Sequence, residues 1–273
     1  MTESANNITR ELDDGILRLT IDKAEAGNAL DADMREQLVE WFDDASDDLN
    51  VRCVVLTGAG DKAFCTGADL RNQRPPRPRP DGAPPRAQGE AARLIQRGWQ
   101  RLVTSVLDCE KPVIGAINGT AAGGGMHLAL ACDLVVCAHS ARFIEVFIRR
   151  GIAPDAAGAW LLTRLVGIQK AKELFFLGDA VSADEALSLG LANRVVPDEE
   201  LPDAVTALAQ RLAQAPTRAI AITKAITNRA LDHDRSSALL DEAWGQELVT
   251  TTEDMKEGVA AFIERRDPTF RGF

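Results

Sequence analysis

Over its first two thirds the chain alternates short β-rich runs with helical patterns, and this alternation constrains the fold more than any other feature. Ile16–Ile21 (ILRLTI) and Val51–Thr57 (VRCVVLT) read as strands, as do Pro112–Asn118 and Asp133–Ala138. Between the first two, Leu30, Met34, Leu38 and Trp41/Phe42 recur every three or four residues behind Asp31, a residue type suited to an N-cap. That spacing predicts a helix. Strands separated by helices indicate an α/β core.

The character changes from about Ser182 onward. SADEALSLG, LPDAVTALAQRLAQ, APTRAIAITKAITNRAL and SSALLDEAWGQELV are helical patterns parted by Pro or Gly, and no strand of comparable strength follows Val195–Val196. A core over 1–200 and a helical region over 201–273 are therefore expected. The Ala/Leu/Ile faces of the later helices need a partner surface, either the core or another subunit. One stretch fits neither pattern: RNQRPPRPRPDGAPPRAQGE holds six of the chain's 12 prolines between Pro75 and Pro85. Proline forbids helix continuation and favours extended, solvated backbone. A P-x-x-P recognition tract would have this composition, but an inserted flexible loop over 71–90 is the better reading.

Composition narrows the function. With 31 Lys+Arg against 41 Asp+Glu the net charge is −10, which argues against nucleic acid as a partner because that affinity depends on cations neutralising phosphates. One small anionic ligand held locally is still compatible. No apolar run approaches the roughly 20 residues that cross a bilayer, so a membrane span is not expected. The start, MTESANNITRELDD, lacks a basic segment followed by an apolar one and does not read as a signal peptide; a cytoplasmic location is expected. Five cysteines (53, 65, 109, 132 and 137) contain no C-x-x-C, so they read as buried small hydrophobes rather than a disulfide framework or zinc site.

Two glycine-rich segments carry the chemistry. Ile114–Leu134, IGAINGTAAGGGMHLALACDL, runs from a strand through glycines 123–125 into an apolar helix. Successive glycines let backbone N–H groups approach a ligand, and the helix start adds unpaired donors and a positive dipole end. The spacing matches neither a phosphate-binding P-loop nor a dinucleotide fingerprint. Val51–Leu70, VRCVVLTGAGDKAFCTGADL, is a second strand running into a glycine-rich loop, with Thr66-Gly67-Ala68-Asp69 before another helical start. Two such junctions can each offer one N–H to a single oxygen, the arrangement that stabilises an enolate or tetrahedral oxyanion.

These segments resemble the crotonase, or enoyl-CoA hydratase/isomerase, superfamily. The resemblance spans nearly the whole chain: Asn28-Ala29-Leu30, AFCTGADL, the Ile114–Leu134 signature, RRGIAPDAAGAWLLTRLVG at 149–167, SADEALSLGLANRVVP at 182–197, and EGVAAFIERRDPTF near the C-terminus. It implies a crotonase-like ββα spiral core with a C-terminal helical trimerisation region, and a homotrimer or a hexamer built as a dimer of trimers. The N–H groups of Ala68 and Gly124 match the two oxyanion-hole donors to an acyl-CoA thioester oxygen. Ala26 and the segment Thr66, Ala68, Asp69, Leu70, Arg71 match positions lining CoA, and Phe262 and Arg265 match positions that reach it from the C-terminal region. The resemblance implies a CoA thioester as substrate and no permanently bound cofactor or metal.

The sequence departs from the hydratase pattern at two positions. Hydratases of the family carry two glutamates that activate water; the first falls here on His127 and the second on Phe147. An imidazole and a phenyl ring cannot repeat the division of labour of two carboxylates. Asp155 remains, in Ile152-Ala153-Pro154-Asp155-Ala156-Ala157-Gly158, a segment resembling isomerase-like branches that place a catalytic aspartate there, including ring-opening isomerases. One carboxylate suffices for a 1,3-proton shift. Each candidate has a structural alternative: Asp155 as the N-cap of the following helix, His127 as a packed histidine rather than a proton-transfer group, Glu145 as a solvated charge beside Arg149 and Arg150 rather than a displaced replacement. Cys65 lacks a paired base and reads as structural. The expected function is enoyl-CoA isomerase-type proton transfer, with enoyl-CoA hydration or a catalytically silent acyl-CoA binding subunit as alternatives.

Overall fold

In the computed structural model, which describes residues 2–71 and 78–273, all four expected strands form with ends shifted by a residue or two. β1 (Thr2–Ala5), β2 (Ile8–Asp13) and β3 (Ile16–Ile21) make an antiparallel meander that leads into parallel strands β4 (Cys53–Gly58), β6 (Val113–Ile117), β8 (Leu134–Ala138) and β11 (Arg194–Val196). The order across this sheet is β1-β2-β3-β4-β6-β8-β11. A second sheet, ordered β10-β9-β7-β5, holds β5 (Ala63–Cys65), β7 (Thr120–Ala122), β9 (Arg142–Ile144) and β10 (Ala180–Ser182).

The chain visits the sheets in turn. β4 continues into β5, β6 into β7 followed by α4 (Gly124–Ala131), and β8 into β9 followed by α5 (Gly158–Leu177), which is broken at Gly167. Each cycle is a strand in the first sheet, a short strand in the second, and a helix. The result is the expected spiral of ββα turns. Between β5 and β6 the cycle is enlarged by α2 (Glu90–Ile95), a π-helical turn at 96–100, and α3 (Arg101–Asp108). Positions 72–77 of the proline-rich stretch, including Pro75 and Pro76, lie outside the described residues.

Two-residue periodicity explains why the first sheet is buried on both faces. Val54, Leu56, Val113, Ile117, Val135 and Cys137 join the main core. Their neighbours Cys53, Val55, Ile114, Ala116, Val136 and Ala138 face the other way, against Leu201, Val205, Leu208 and Ala209 of α7 (Leu201–Ala213). The helix predicted behind Asp31 is α1 (Ala32–Asp47): Asp31 accepts a hydrogen bond from Met34 N–H at 3.0 Å, and Met34, Leu38, Val39, Trp41 and Phe42 form its buried stripe. α6 (Ala183–Ser188) is capped by Ser182.

Helices α8 (Thr217–Arg229), α9 (Arg235–Thr250) and α10 (Glu253–Glu264) complete the chain. Buried Lys224 ties α8 to the core, pairing with Asp133 at 2.8 Å and donating to the carbonyl of Val106 at 2.9 Å. Leu239, Leu240, Trp244 and Leu248 on α9 and Phe262 and Ile263 on α10 are exposed. Among the described residues no helix is long and apolar enough to cross a membrane. All five cysteines are buried and free, and burial pushes the Cys53, Cys65 and Cys137 thiols up to about 12. They behave as the small hydrophobes expected.

Candidate active site

The spiral explains how two glycine-rich junctions distant in sequence meet. β5 and β7 are parallel neighbours in the second sheet, so their C-terminal ends emerge side by side. β5 leads into Thr66–Arg71 and β7 into α4. A β-carbon built on Gly67 would lie 3.4 Å from the Gly124 nitrogen, which measures how near the two backbones come. Gly125 is packed closer still: a β-carbon there would lie 2.0 Å from the carbonyl oxygen of Cys65. Only glycine permits that approach.

The donors are set by backbone pairing. Leu30 and Ala68 form an isolated parallel bridge in which Leu30 N–H donates to Gly67 O at 2.9 Å and Asp69 N–H donates to Leu30 O at 3.0 Å. Ladder alternation turns the N–H of Ala68 away from Leu30. Gly124 opens α4, where the first N–H groups have no partner within the helix and the dipole is positive. The two junctions adjoin, and each carries one of the two N–H groups expected to serve as oxyanion donors. The indole of Trp99, on the π-helical turn, lies flat against Gly124, and the Arg35 guanidinium stands 5.4 Å from the ring centroid.

Asp155 does not cap a helix. α5 begins at Gly158 behind Ala157, which adopts a left-handed conformation with no side-chain cap. Asp155 is instead half-buried within electrostatic reach of His127 and Arg35. Burial raises its carboxyl above the ordinary value, and His127 when it carries a proton, together with Arg35, draws it only partly back.

Glu145 is not a solvated charge. It and His127 are both buried, and His127 Nε2 lies 3.0 and 3.1 Å from the two Glu145 carboxylate oxygens. Phe147 stacks on the imidazole with ring centroids 5.2 Å apart, and Phe175 meets it edge-on at 6.5 Å. The two-residue spacing of Glu145 and Phe147 does bring both to His127. His127 Nδ1 is buried and has no hydrogen-bond partner among the described residues.

The segments expected to line CoA are partly gathered. Thr66 donates through its backbone N–H at 3.1 Å and its hydroxyl at 3.0 Å to Gly27 O, beside Ala26 in a short 3₁₀ turn. Asp69 is buried and paired with Lys23 at 2.9 Å while accepting from Arg71 N–H at 2.9 Å; Leu70 and Arg71 are exposed. Lys23 also meets Asp31 at 3.4 Å, so one buried ammonium ties the Ala68 loop to the start of α1. Phe262, 85% exposed, and Arg265 stand on and just after α10, where Phe262 lines a cavity of about 320 Å³ with Pro216, Met255 and Phe270. None of the residues lining that cavity belongs to the Ala68 or Gly124 junction. Sequence reasoning missed Lys23, Arg35 and Trp99. No local pattern marks them, since the contacts that bring them here, Lys23 with Asp69 and Arg35 with Trp99, join residues remote in the chain. No group of metal-ligating side chains occurs among the described residues.

A spiral of ββα turns closed by C-terminal helices is the architecture of crotonase-fold proteins. The profile described as "Enoyl-CoA hydratase/isomerase" matches residues 11–272, and the chain belongs to that family. It is 37% identical over 267 residues to the 1,2-epoxyphenylacetyl-CoA isomerase of Escherichia coli K12, covering 97% of this chain and 98% of that one. It is 34% identical over 263 residues to the short-chain-enoyl-CoA hydratase of Clostridium acetobutylicum, covering 96% of each. Among solved structures, an enoyl-CoA hydratase from Bacillus anthracis superposes with a TM-score of 0.88 at 32% identity, covering 98% of this chain and all of the other.

Proposed function

We propose that this protein catalyses isomerase-type proton transfer on an enoyl-CoA, holding the thioester oxygen at the N–H groups of Ala68 and Gly124 while Asp155 exchanges the proton, with His127 assisting. The observation that carries this reading is Asp155: it caps no helix, and its raised carboxyl lies within electrostatic reach of His127, which stands one helical turn beyond Gly124. A half-buried carboxyl whose proton affinity is raised by burial suits acid–base work. The oxyanion donors stabilise the enolate, and the proton leaves one carbon and arrives at another. With glutamates absent from positions 127 and 147, the resemblance favours isomerisation over hydration.

The CoA thioester is the substrate in this reading, and no cofactor stays bound. Ala26, Thr66, Asp69, Leu70 and Arg71 line the CoA, Phe262 and Arg265 contact it from the C-terminal region, and the exposed apolar faces of α9 and α10 join subunits into a homotrimer or a hexamer. The binding relies on local donors and a few arginines against a net charge of −10.

The test incubates the purified protein with panels of 3-enoyl-CoA and 2-enoyl-CoA, resolving products by chromatography and mass spectrometry alongside Asp155→Ala. Isomerised product that vanishes in the variant is expected. Water addition undiminished in Asp155→Ala would overturn the reading. Tight acyl-CoA binding without turnover of any thioester would also overturn it, in favour of a binding subunit.

A further inference from the structure

A histidine with a purely structural role ordinarily satisfies both ring nitrogens. His127 satisfies one. Nε2 is committed to both oxygens of Glu145, and the ring plane is fixed by Phe147 on its face and Phe175 at its edge. Nδ1 is buried and unpartnered among the described residues. Gly124 and His127 lie three residues apart on α4, so they share a face of that helix.

We propose that His127, held by Glu145, is a second proton-transfer group of this site, its Nδ1 serving one carbon of the acyl group while Asp155 serves the other. The inference rests on the isomerase reading above and gives it a division of labour. Glu145 is a positioning residue: by accepting the Nε2 proton it leaves the Nδ1 lone pair as the free acceptor, and it balances the imidazolium that forms. Nδ1 takes a proton from one carbon, and the C–H electron pair flows through the conjugated system to the thioester oxygen at Ala68 and Gly124. Asp155, entering as the carboxylic acid, delivers its proton to the other carbon, and the enolate electrons form the new C–H bond. The carbonyl is restored. The imidazolium then returns its proton to the Asp155 carboxylate, directly or through water, and no net charge is gained.

The probe is trans-3-hexenoyl-CoA under single-turnover conditions in D₂O, with wild type, His127→Gln, Glu145→Gln and Asp155→Asn compared. A two-group site introduces one solvent deuterium per product molecule, whereas a single group carrying the same proton across introduces none. His127→Gln is expected to lower kcat about 10²–10⁴-fold. Glu145→Gln should lower kcat with KM unchanged. Nitrogen-15 NMR of the three histidines supplies a readout independent of turnover: His127 should carry its proton on Nε2 in wild type and lose that preference in Glu145→Gln. Undeuterated product, wild-type kcat in His127→Gln, or a proton fixed on Nδ1 would each overturn the proposal. If Asp155→Asn abolishes isomerisation while His127→Gln does not, this inference alone fails; a wild-type protein that isomerises nothing takes down the reading beneath it as well.

Discussion

Gly158 stands so close to His127 that a β-carbon on it would lie 1.9 Å from Nε2. The first turn of α5 is thus a wall packed against the Nε2 edge of the imidazole, the edge that meets Glu145. Gly158→Ala should lose about 1–3 kcal/mol of stability through overpacking and displace the His127 ring. Denaturant unfolding together with the His127 nitrogen-15 signals would show both effects. An alanine variant with parental stability and spectrum would mean that the wall is not rigid.

Trp99 and Gly124 allow a coupling test. A β-carbon at Gly124 would meet three atoms of the indole at 2.9 Å. Gly124→Ala should therefore destabilise by about 1–3 kcal/mol, and much less when Trp99→Leu has first removed the ring. A double-mutant cycle by chemical denaturation measures the interaction. Strict additivity of the two substitutions would contradict the contact.

The raised carboxyl of Asp155 makes a stability prediction with a definite sign. Unfolded, the group titrates near the ordinary 3.8; folded, burial moves it higher, against the opposing pull of His127 when protonated and of Arg35. Between those values the folded chain holds the proton that the unfolded chain has released, so folding stability falls as pH rises through that window. Asp155→Asn should be more stable than the parent at neutral pH, with the advantage disappearing below about pH 3.8. Urea unfolding of both proteins across pH 3–8 checks this, and an Asn variant less stable at neutral pH would contradict it.

Lys224 is the buried tether between α8 and the core. Its ammonium meets Asp133 at 2.8 Å, and the Asp133 carboxyl, pushed up by burial, is drawn back chiefly by this partner and also accepts from Val113 N–H at 2.7 Å. Lys224→Met leaves a buried carboxylate unpaired and should destabilise by about 3–5 kcal/mol. Adding Asp133→Asn should restore part of that loss in the same unfolding measurement. A single variant as stable as the parent would show the tether to be dispensable.

The sequence by itself determined the strands, the helix behind Asp31 and the two glycine junctions, because each is written in local periodicity and local backbone freedom. It also brought forward Ala68, Gly124, His127 and Asp155 as candidates. Only the tertiary structure decided which alternatives hold at single residues. Glu145 reads in sequence as a charge beside two arginines, yet the fold buries it against His127, eighteen positions away. Asp155 has the residue type of a helix cap, yet the left-handed turn at Ala157 starts α5 without it. Lys23, Arg35 and Trp99 could not be read at all, since Lys23 meets Asp69 and Arg35 meets Trp99 only once distant parts of the chain close on one another. Periodicity reports how a segment folds onto a surface, whereas burial, pairing and an unmet imidazole nitrogen arise only when separate segments close on one another.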